Sequence, residues 1–167
     1  ALFSDAWEAF VAPIPVAERH DFVSAYYRRL TGSDREEQLA CARAWSQWEA
    51  STLALRPNPA VIDSFGADQF ALAFGRIECH YFVNGGFFDR DDQLIAAAAK
   101  LAHMPRVIIQ GRYDVVTPME TAWALHKAWP EAAFEIIADA GHTATEPGIT
   151  DALIRATDRF AMQVKHG

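Results

Sequence analysis

Two residues in the last third of the chain have the types and the surroundings that proton transfer requires. Asp114 follows the apolar run Val-Ile-Ile at 107–109, and His142 follows the next such run, Ala-Phe-Glu-Ile-Ile at 133–137. A carboxylate beside an imidazole accepts a hydrogen bond from one ring N–H, fixes the tautomer and stabilises the imidazolium formed during catalysis. Each residue also has an ordinary explanation, because aspartate is common in turns and histidine is common in loops.

The position of each residue relative to a strand favours the chemical interpretation. The two apolar runs predict short strands buried on both faces, at 106–110 and 133–137, with a helix between them. The carboxyl ends of parallel strands meet at one edge of a sheet, where ligands bind, so we expect Asp114 and His142 to lie together there. Asp before His, each after a strand, is the order of the last two triad members in the α/β-hydrolase fold, whose nucleophile comes earlier in the chain.

The nucleophile of such a triad has no counterpart in the 167 residues. No Gly-x-Ser-x-Gly elbow occurs, and no His-Gly-Gly loop that would build an oxyanion hole. All the serines lie in predicted helices or caps: Ser4, Ser24, Ser33, Ser46, Ser51 and Ser64. We therefore expect the chain alone to be catalytically inert, and we expect the nucleophile to lie upstream of Ala1.

The elements that position these residues divide the chain into two parts. Residues 1–103 carry only helical patterns, and residues 104–167 carry the pattern strand, helix, strand, helix. We predict a helical domain over 1–103, followed over 104–167 by the last strands and helices of a larger parallel sheet. The fold class is then α/β, incomplete and predominantly helical. Two parallel strands with one crossover helix do not close a domain, so further strands are expected upstream.

Capping signals predict where several helices begin. Ser33 with Glu36, and Thr117 with Glu120, match the capping box, in which the first side chain and the acidic residue each bind a free backbone N–H. Asp68 is predicted to begin another helix. Four large apolar residues recur along that helix at helical spacing and predict its buried stripe: Phe70, Phe74, Ile77 and Tyr81.

Composition excludes several classes of function. The net charge of −7 and the absence of any basic run longer than Arg28-Arg29 argue against a nucleic-acid partner. No apolar run approaches the roughly 20 residues that span a bilayer, so no membrane partner is expected. Cys41 and Cys79 form neither a disulfide framework nor metal-ligand spacing. We expect them to be buried apolar residues of a cytoplasmic protein that uses no metal and no cofactor.

Longer motifs resemble one known family. The stretch from Val107 to Ala161, which includes VIIQGRYDVVTPMETAW and AGHTATEP, closely resembles the C-terminal end of prolyl aminopeptidases, also called proline iminopeptidases. AWSQWEAST and FALAFGRIECHYFVNGGFF resemble the helical cap of that family. The resemblance therefore implies that 1–103 is a helical cap domain and that 104–167 is the C-terminal strand-helix-strand-helix part of an α/β-hydrolase domain. The resemblance extends from about Trp7 to Ala161. It implies a serine hydrolase that releases N-terminal proline from peptides, with Asp114 and His142 as the last two triad members.

The same resemblance implies a binding role for two glutamates of the cap. In the family, two glutamates hold the N-terminal amine of the substrate, and by position these are Glu49 and Glu78. The secondary ammonium of proline has a full charge and two N–H donors, so two converging carboxylates match it. A helical glutamate is ordinarily a solvated residue, but apolar neighbours surround these two. The aromatic neighbours, Trp45 and Trp48 among them, are more often core than pocket and receive no site role.

Two other interpretations stay open. In the first, the chain is a non-catalytic helical module that binds peptides or amines through an acidic cap groove. In the second, it is part of an α/β-hydrolase of other specificity, such as an esterase or an epoxide hydrolase, and the two glutamates are incidental. The partners expected are a peptide with N-terminal proline and, because an unpaired strand edge invites pairing, either a second copy of the chain or the missing N-terminal half.

Overall fold

The computed structural model describes residues 2–166. Along these residues the helices and strands follow in the order α1 (Ser4–Val11), α2 (Phe22–Thr31), α3 (Arg35–Thr52), α4 (Pro59–Phe65), α5 (Asp68–Val83), α6 (Gln93–Ala97), β1 (Val107–Gly111), α7 (Met119–Ala128), β2 (Ala133–Ile137) and α8 (Pro147–His166). Contacts divide them into two compact units. The helical unit comprises the described residues up to Thr52 together with Pro57–Phe88, and the sheet unit comprises Leu53–Arg56 together with the described residues from Asp89 onward.

This division differs from the predicted boundary in one stretch of the chain. Residues 89–103 group with the sheet unit, because α6 and the short 3₁₀ turn Ala98–Leu101 pack against α7. The segment Leu53–Arg56 also belongs to the sheet unit, although it directly follows α3. The division into a cap domain over 1–103 and a hydrolase part over 104–167 stays a prediction.

The helical unit is built on α3 and α5, which pack against each other and against α2. The predicted start of α5 at Asp68 is confirmed, but the predicted stripe on this helix is correct only at Phe74, which packs against the core. Phe70, Ile77 and Tyr81 are exposed, and the buried face carries the smaller residues Ala71, Leu72, Gly75 and Cys79. This face packs against Leu30 and Trp45: a Cβ added to Gly75 would lie 3.4 Å from Leu30 Cδ1 and 3.7 Å from Trp45 Cδ1, which are ordinary contact distances.

The start of α3 differs by one residue from the predicted capping box. Asp34, not Ser33, caps the helix, because its Oδ1 accepts hydrogen bonds from the backbone N–H groups of Glu36 at 2.9 Å and Glu37 at 3.2 Å. A carboxylate at this position serves two donors at once and also complements the positive end of the helix dipole. The capping function is therefore as predicted, but the residue that performs it is not.

In the sheet unit, β1 and β2 pair in parallel, with Val107 opposite Ala133 and Gly111 opposite Ile137. Both predicted strands are confirmed, the first one residue later than expected. Helix α7 connects the strands, and α8 packs against both of them. Within the described residues each strand has a single strand neighbour, so the other edge of each strand is unpaired in this chain.

Two further features of the described residues bear on the predictions from composition. Cys41 and Cys79 are free and fully buried in the core of the helical unit, as predicted. Among residues 2–166, no helix has the length and hydropathy that crossing a bilayer requires.

Candidate functional site

The first group of candidate residues lies in the sheet unit, in the loops that follow β1 and β2. His142 Nδ1 lies 3.0 Å from Asp114 Oδ2, so the predicted proximity of the two side chains is confirmed. The carboxylate side chain is 5% exposed, whereas the imidazole is 34% exposed. The carboxylate of Asp114 is therefore buried, whereas the imidazole ring of His142 is accessible to solvent. Such an arrangement can hold one tautomer while the other ring nitrogen exchanges a proton.

Asp114 is held by its own turn as well as by the histidine. Its Oδ1 accepts hydrogen bonds from the backbone N–H groups of Val116 at 3.0 Å and Thr117 at 2.8 Å. Its Oδ2 accepts from the Thr117 hydroxyl at 2.9 Å and from Gln110 Nε2 at 3.3 Å. The ordinary explanation, that Asp114 is a turn residue, is therefore correct too, because the same carboxylate accepts hydrogen bonds from its own turn and lies beside His142. Burial raises the pKa of Asp114, but the hydrogen bonds from Thr117 and His142 outweigh burial, and the pKa lies below its ordinary value.

The Thr117 side chain binds Asp114 and does not cap α7. This helix begins at Met119 with Pro118 at its N-cap and with no side-chain cap, so the predicted capping box of Thr117 and Glu120 is wrong. The Thr117 hydroxyl instead lies 2.9 Å from Asp114 Oδ2 and 3.2 Å from His142 Nδ1. The charged acceptor wins because a hydrogen bond to a carboxylate is stronger than one between neutral groups.

The histidine loop is anchored through its backbone. The N–H groups of His142 and Thr143 donate to the carbonyl oxygen of Leu53 at 2.8 and 2.9 Å. The Glu146 carboxylate accepts from the N–H of Gly141 at 2.5 Å and from the N–H of Leu55 at 2.6 Å. Sequence reasoning missed both anchors. A glutamate ahead of α8 resembles any acidic residue at a helix start, and no local pattern indicates the contact with Leu53.

Two glycines let three backbone segments meet behind His142. A Cβ added to Gly111 would lie 1.9 Å from the carbonyl oxygen of Gly141, and one added to Gly141 would lie 2.8 Å from the N of Leu55. Real side chains do not fit at either distance. Glycine at both positions is therefore required by close approach of the backbone.

The second group of candidate residues lies in the helical unit. Glu49 on α3 and Glu78 on α5 are both partly buried, unlike ordinary solvated helix positions. The indole Nε1 of Trp45 donates to Glu78 Oε2 at 2.7 Å. Burial raises the pKa of Glu78, and the hydrogen bond from Trp45 opposes this rise. Burial, with the negative charge of Glu78, raises the pKa of Glu49 to about 7.

The carboxyl group of Asp114 therefore differs from those of Glu49 and Glu78 in how its surroundings affect ionisation. Asp114 is favoured in its charged form by several donors, as a residue that orients and stabilises an imidazole must be. The glutamates resist ionisation, and a cation that reached them would relieve the cost of their charge. No cluster of three or more His, Cys, Asp or Glu that could hold a metal occurs among residues 2–166.

Comparison with known proteins places this geometry in context. A family model described as alpha/beta hydrolase fold matches residues 1–148. The chain is 55% identical over 166 residues to a probable proline iminopeptidase of Leptolyngbya boryana, a match that covers 99% of this chain and 52% of the relative. It is 54% identical over 159 residues to a proline iminopeptidase of Xylella fastidiosa, covering 95% of this chain and 51% of the relative.

A plant relative is nearly as similar. The chain is 51% identical over 161 residues to a proline iminopeptidase of Arabidopsis thaliana, covering 96% of this chain and 42% of that protein. The chain thus spans about half the length of the curated relatives that it matches.

Proposed function

The chain belongs to the α/β-hydrolase fold family, and from this premise we propose that the full-length protein is a prolyl aminopeptidase, a serine hydrolase that releases proline from the N-terminus of peptides. The observation that carries the proposal is the hydrogen bond of 3.0 Å between His142 Nδ1 and Asp114 Oδ2, with the imidazole partly exposed at the ends of two parallel strands. The names of the relatives support the choice of substrate.

The proposed chemistry uses the pair as a general base and then as a general acid. Asp114 accepts the Nδ1–H hydrogen bond, so the lone pair of Nε2 takes a proton from a serine hydroxyl as its oxygen attacks the prolyl carbonyl. Collapse of the tetrahedral intermediate breaks the C–N bond, and His142 returns the proton to the leaving amine. Water then repeats the cycle on the acyl-enzyme. The serine would come from polypeptide outside the 167 residues, since none of these residues forms a nucleophile elbow.

Selection of a free N-terminal proline is assigned to Glu49 and Glu78. A prolyl N-terminus presents a positive charge and two N–H donors, and one carboxylate can accept each donor. Charge-assisted hydrogen bonds of this kind contribute about 1.5–3 kcal/mol each. Acylation of the N-terminus removes the charge, so blocked peptides would not be substrates.

The unpaired edges of β1 and β2 would be covered by further polypeptide of the same protein, as the greater length of the relatives suggests, or by a second copy. A cytoplasmic location is supported by two cysteines that remain free thiols. Gel filtration of the full-length protein separates a monomer, with its sheet completed internally, from a dimer paired through these strands.

The test of function measures the full-length protein with prolyl and alanyl anilides and with a simple ester. We expect preference for the prolyl anilide. Replacing Asp114 by Asn should lower kcat by about 10²–10⁴ with little change in KM, since the imidazole loses its fixed tautomer. The exposed Asp139 of the same unit, changed to Asn, serves as the control.

Three outcomes would contradict the proposal. Ester or epoxide hydrolysis without prolyl release would indicate another hydrolase. Binding of prolyl peptides without any hydrolysis would indicate a binding module. Equal kcat values for the Asp114 and Asp139 variants would show that Asp114 and His142 do not act as a catalytic pair.

A further inference from the structure

Trp45 packs in the aromatic core of the helical unit and also contacts the acidic pair, which is formed by Glu49 and Glu78. Its side chain is almost fully buried, and its ring centroid lies 5.2 Å from that of Tyr26 and 5.8 Å from that of Phe10. Its Nε1 lies 2.7 Å from Glu78 Oε2. An indole nitrogen only donates, so the Glu78 oxygen is the acceptor, and this hydrogen bond favours the ionised form of the carboxyl. The packed ring fixes the direction of that hydrogen bond.

Glu49 has no comparable partner. Among the described residues its carboxylate takes part in no side-chain hydrogen bond or ion pair, whereas Glu78 has the indole. Burial acts on both carboxyls, but only Glu78 has a donor that offsets it. The pair is therefore asymmetric: Glu78 is the better anion, and Glu49 is the better proton acceptor.

Neighbouring ionisable groups do not compensate the pair. Burial raises the pKa of Cys79 to about 12, with further contributions from the charges of Glu78 and Glu49, so this thiol is neutral near pH 7. Burial likewise raises the pKa of Tyr26 above its usual range. The arginines of α2, α3 and α5 bind acceptors other than Glu49 and Glu78. Arg28 and Arg29 bind Glu18, Arg35 binds Gln38, Arg43 binds Asp68, and Arg76 binds the carbonyl oxygen of Leu30. The acidic residues of α1 and α4 are exposed.

We propose that Trp45 is a specificity-determining positioning residue, whose indole N–H keeps Glu78 ionised and aimed, so that binding of a cationic amine displaces one proton from Glu49. The inference rests on the proposed function, because the amine in question is the N-terminus of the substrate. Charge balances in the step. Below about pH 7 the free pair carries one negative charge, on Glu78, and one proton, on Glu49. The bound pair carries two negative charges against one ammonium, and the proton leaves to solvent.

The test compares two tryptophans of α3 in the full-length protein. Trp45→Phe keeps an aromatic ring but removes the donor. Trp48→Phe is the matched control, because Trp48 also packs against Phe10, at 5.4 Å between ring centroids, but does not bond to Glu78. Loss of a hydrogen bond to a charged group should raise KM for a prolyl anilide about tenfold in Trp45→Phe, with kcat within about twofold. The control should change neither constant more than about twofold.

The pH profile and a double mutant separate positioning from packing. Without the indole donor Glu78 is easier to protonate, so the acidic limb of kcat/KM should move to higher pH in Trp45→Phe and stay in place in Trp48→Phe. In a Glu78→Gln background, Trp45→Phe should add no further effect on KM. Equal effects of the two tryptophan substitutions, or an undiminished effect of Trp45→Phe without Glu78, would show that Trp45 acts only through the core.

Calorimetry with pyrrolidine supplies a readout that does not need turnover. Binding measured at pH 6 in buffers of different ionisation enthalpy should release about one proton in the wild type and none in Glu49→Gln. Affinity should fall about tenfold in Trp45→Phe but not in Trp48→Phe. If prolyl anilides are not hydrolysed and pyrrolidine still behaves in this way, the proposed function fails, whereas amine binding by the two glutamates with proton release from Glu49 stands. Absence of proton release from the wild type overturns the inference.

Discussion

Glu146 accepts a hydrogen bond from the backbone N–H of Gly141, the residue before His142, at 2.5 Å. Its other oxygen accepts from the N–H of Leu55 at 2.6 Å, and Leu53 in turn accepts from the N–H of His142. One carboxylate therefore ties the histidine loop to the segment Leu53–Arg56. The direction of the imidazole depends on a residue that performs no chemistry itself.

Replacing Glu146 by Ala is expected to destabilise the full-length protein by about 2 kcal/mol and to lower kcat. The buried N–H of Gly141 loses its partner, and a buried unsatisfied donor costs about 1–3 kcal/mol. Glu146→Gln keeps one acceptor oxygen, so its stability should lie between those of the wild type and Glu146→Ala. Urea unfolding measures the loss. Glu131, a mostly exposed partner of Arg106, is the matched control, and its change to Ala should cost no more than about 1 kcal/mol. Equal losses would show that Glu146 is no anchor.

Gly111→Ala should be among the most damaging single substitutions in the sheet unit. The new Cβ would lie 1.9 Å from the carbonyl oxygen of Gly141, so the backbone before His142 has to move. We expect a loss of about 3 kcal/mol or more in the free energy of unfolding, together with a large fall in kcat. Gly75→Ala in the helical unit is the comparison, since its Cβ would meet only ordinary contacts and alanine favours a helix. A well-folded, fully active Gly111→Ala protein would contradict the close approach.

Thr117→Val tests the hydroxyl that contacts both members of the proposed catalytic pair, Asp114 and His142. Valine keeps the shape and the backbone donor to Asp114 but removes the hydroxyl that lies 2.9 Å from Asp114 Oδ2. Several other donors remain, so the expected effect is modest: kcat about five- to tenfold lower, with KM unchanged. Thr117→Ser should recover activity to within about twofold, and Thr121→Val, an exposed position on α7, should have no effect. Failure of serine to recover activity would assign Thr117 a packing role instead.

Local patterns explain which features could be predicted from the sequence. Strands β1 and β2 were predictable because short β-branched apolar runs bounded by polar turns have few other solutions. The proximity of Asp114 and His142 follows from strand order, since parallel strands bring their carboxyl ends to one edge. Neither inference needs any knowledge of side-chain packing.

Most of the missed features depend on tertiary contacts that leave no local pattern. The anchors Leu53 and Glu146 join segments far apart in the chain. Three of the four large apolar residues of the predicted stripe on α5 are exposed, because the helix packs through smaller residues such as Gly75 and Cys79 instead. Thr117 matched a capping box, but the charged carboxylate of Asp114 competed successfully for its hydroxyl. At Thr117 a charged acceptor therefore overrode a local capping preference, and on α5 helix packing overrode the apolar periodicity.

The acidic pair should make stability depend on pH in the opposite sense to a paired carboxylate. The pKa of Glu49 rises from 4.5 to about 7 on folding, so between these values the native state binds more protons than the unfolded state. Stability therefore falls as pH rises through this window, and the full cost is present above about pH 7. That cost is at most about 3 kcal/mol.

Glu49→Gln should remove this dependence, because the amide resembles the protonated carboxyl at every pH. Urea unfolding at pH 5 should give similar free energies for the variant and the wild type, whereas at pH 8 the variant should be more stable by up to about 3 kcal/mol. Glu8→Gln, at an exposed position on α1, should differ from the wild type by no more than about 0.5 kcal/mol at either pH. The same variant should bind prolyl substrates more weakly, since the charge that costs stability is the one proposed to bind the amine. A Glu49→Gln protein equal to the wild type in stability at pH 8 would mean that this carboxylate is adequately solvated and that its burial has no part in recognition.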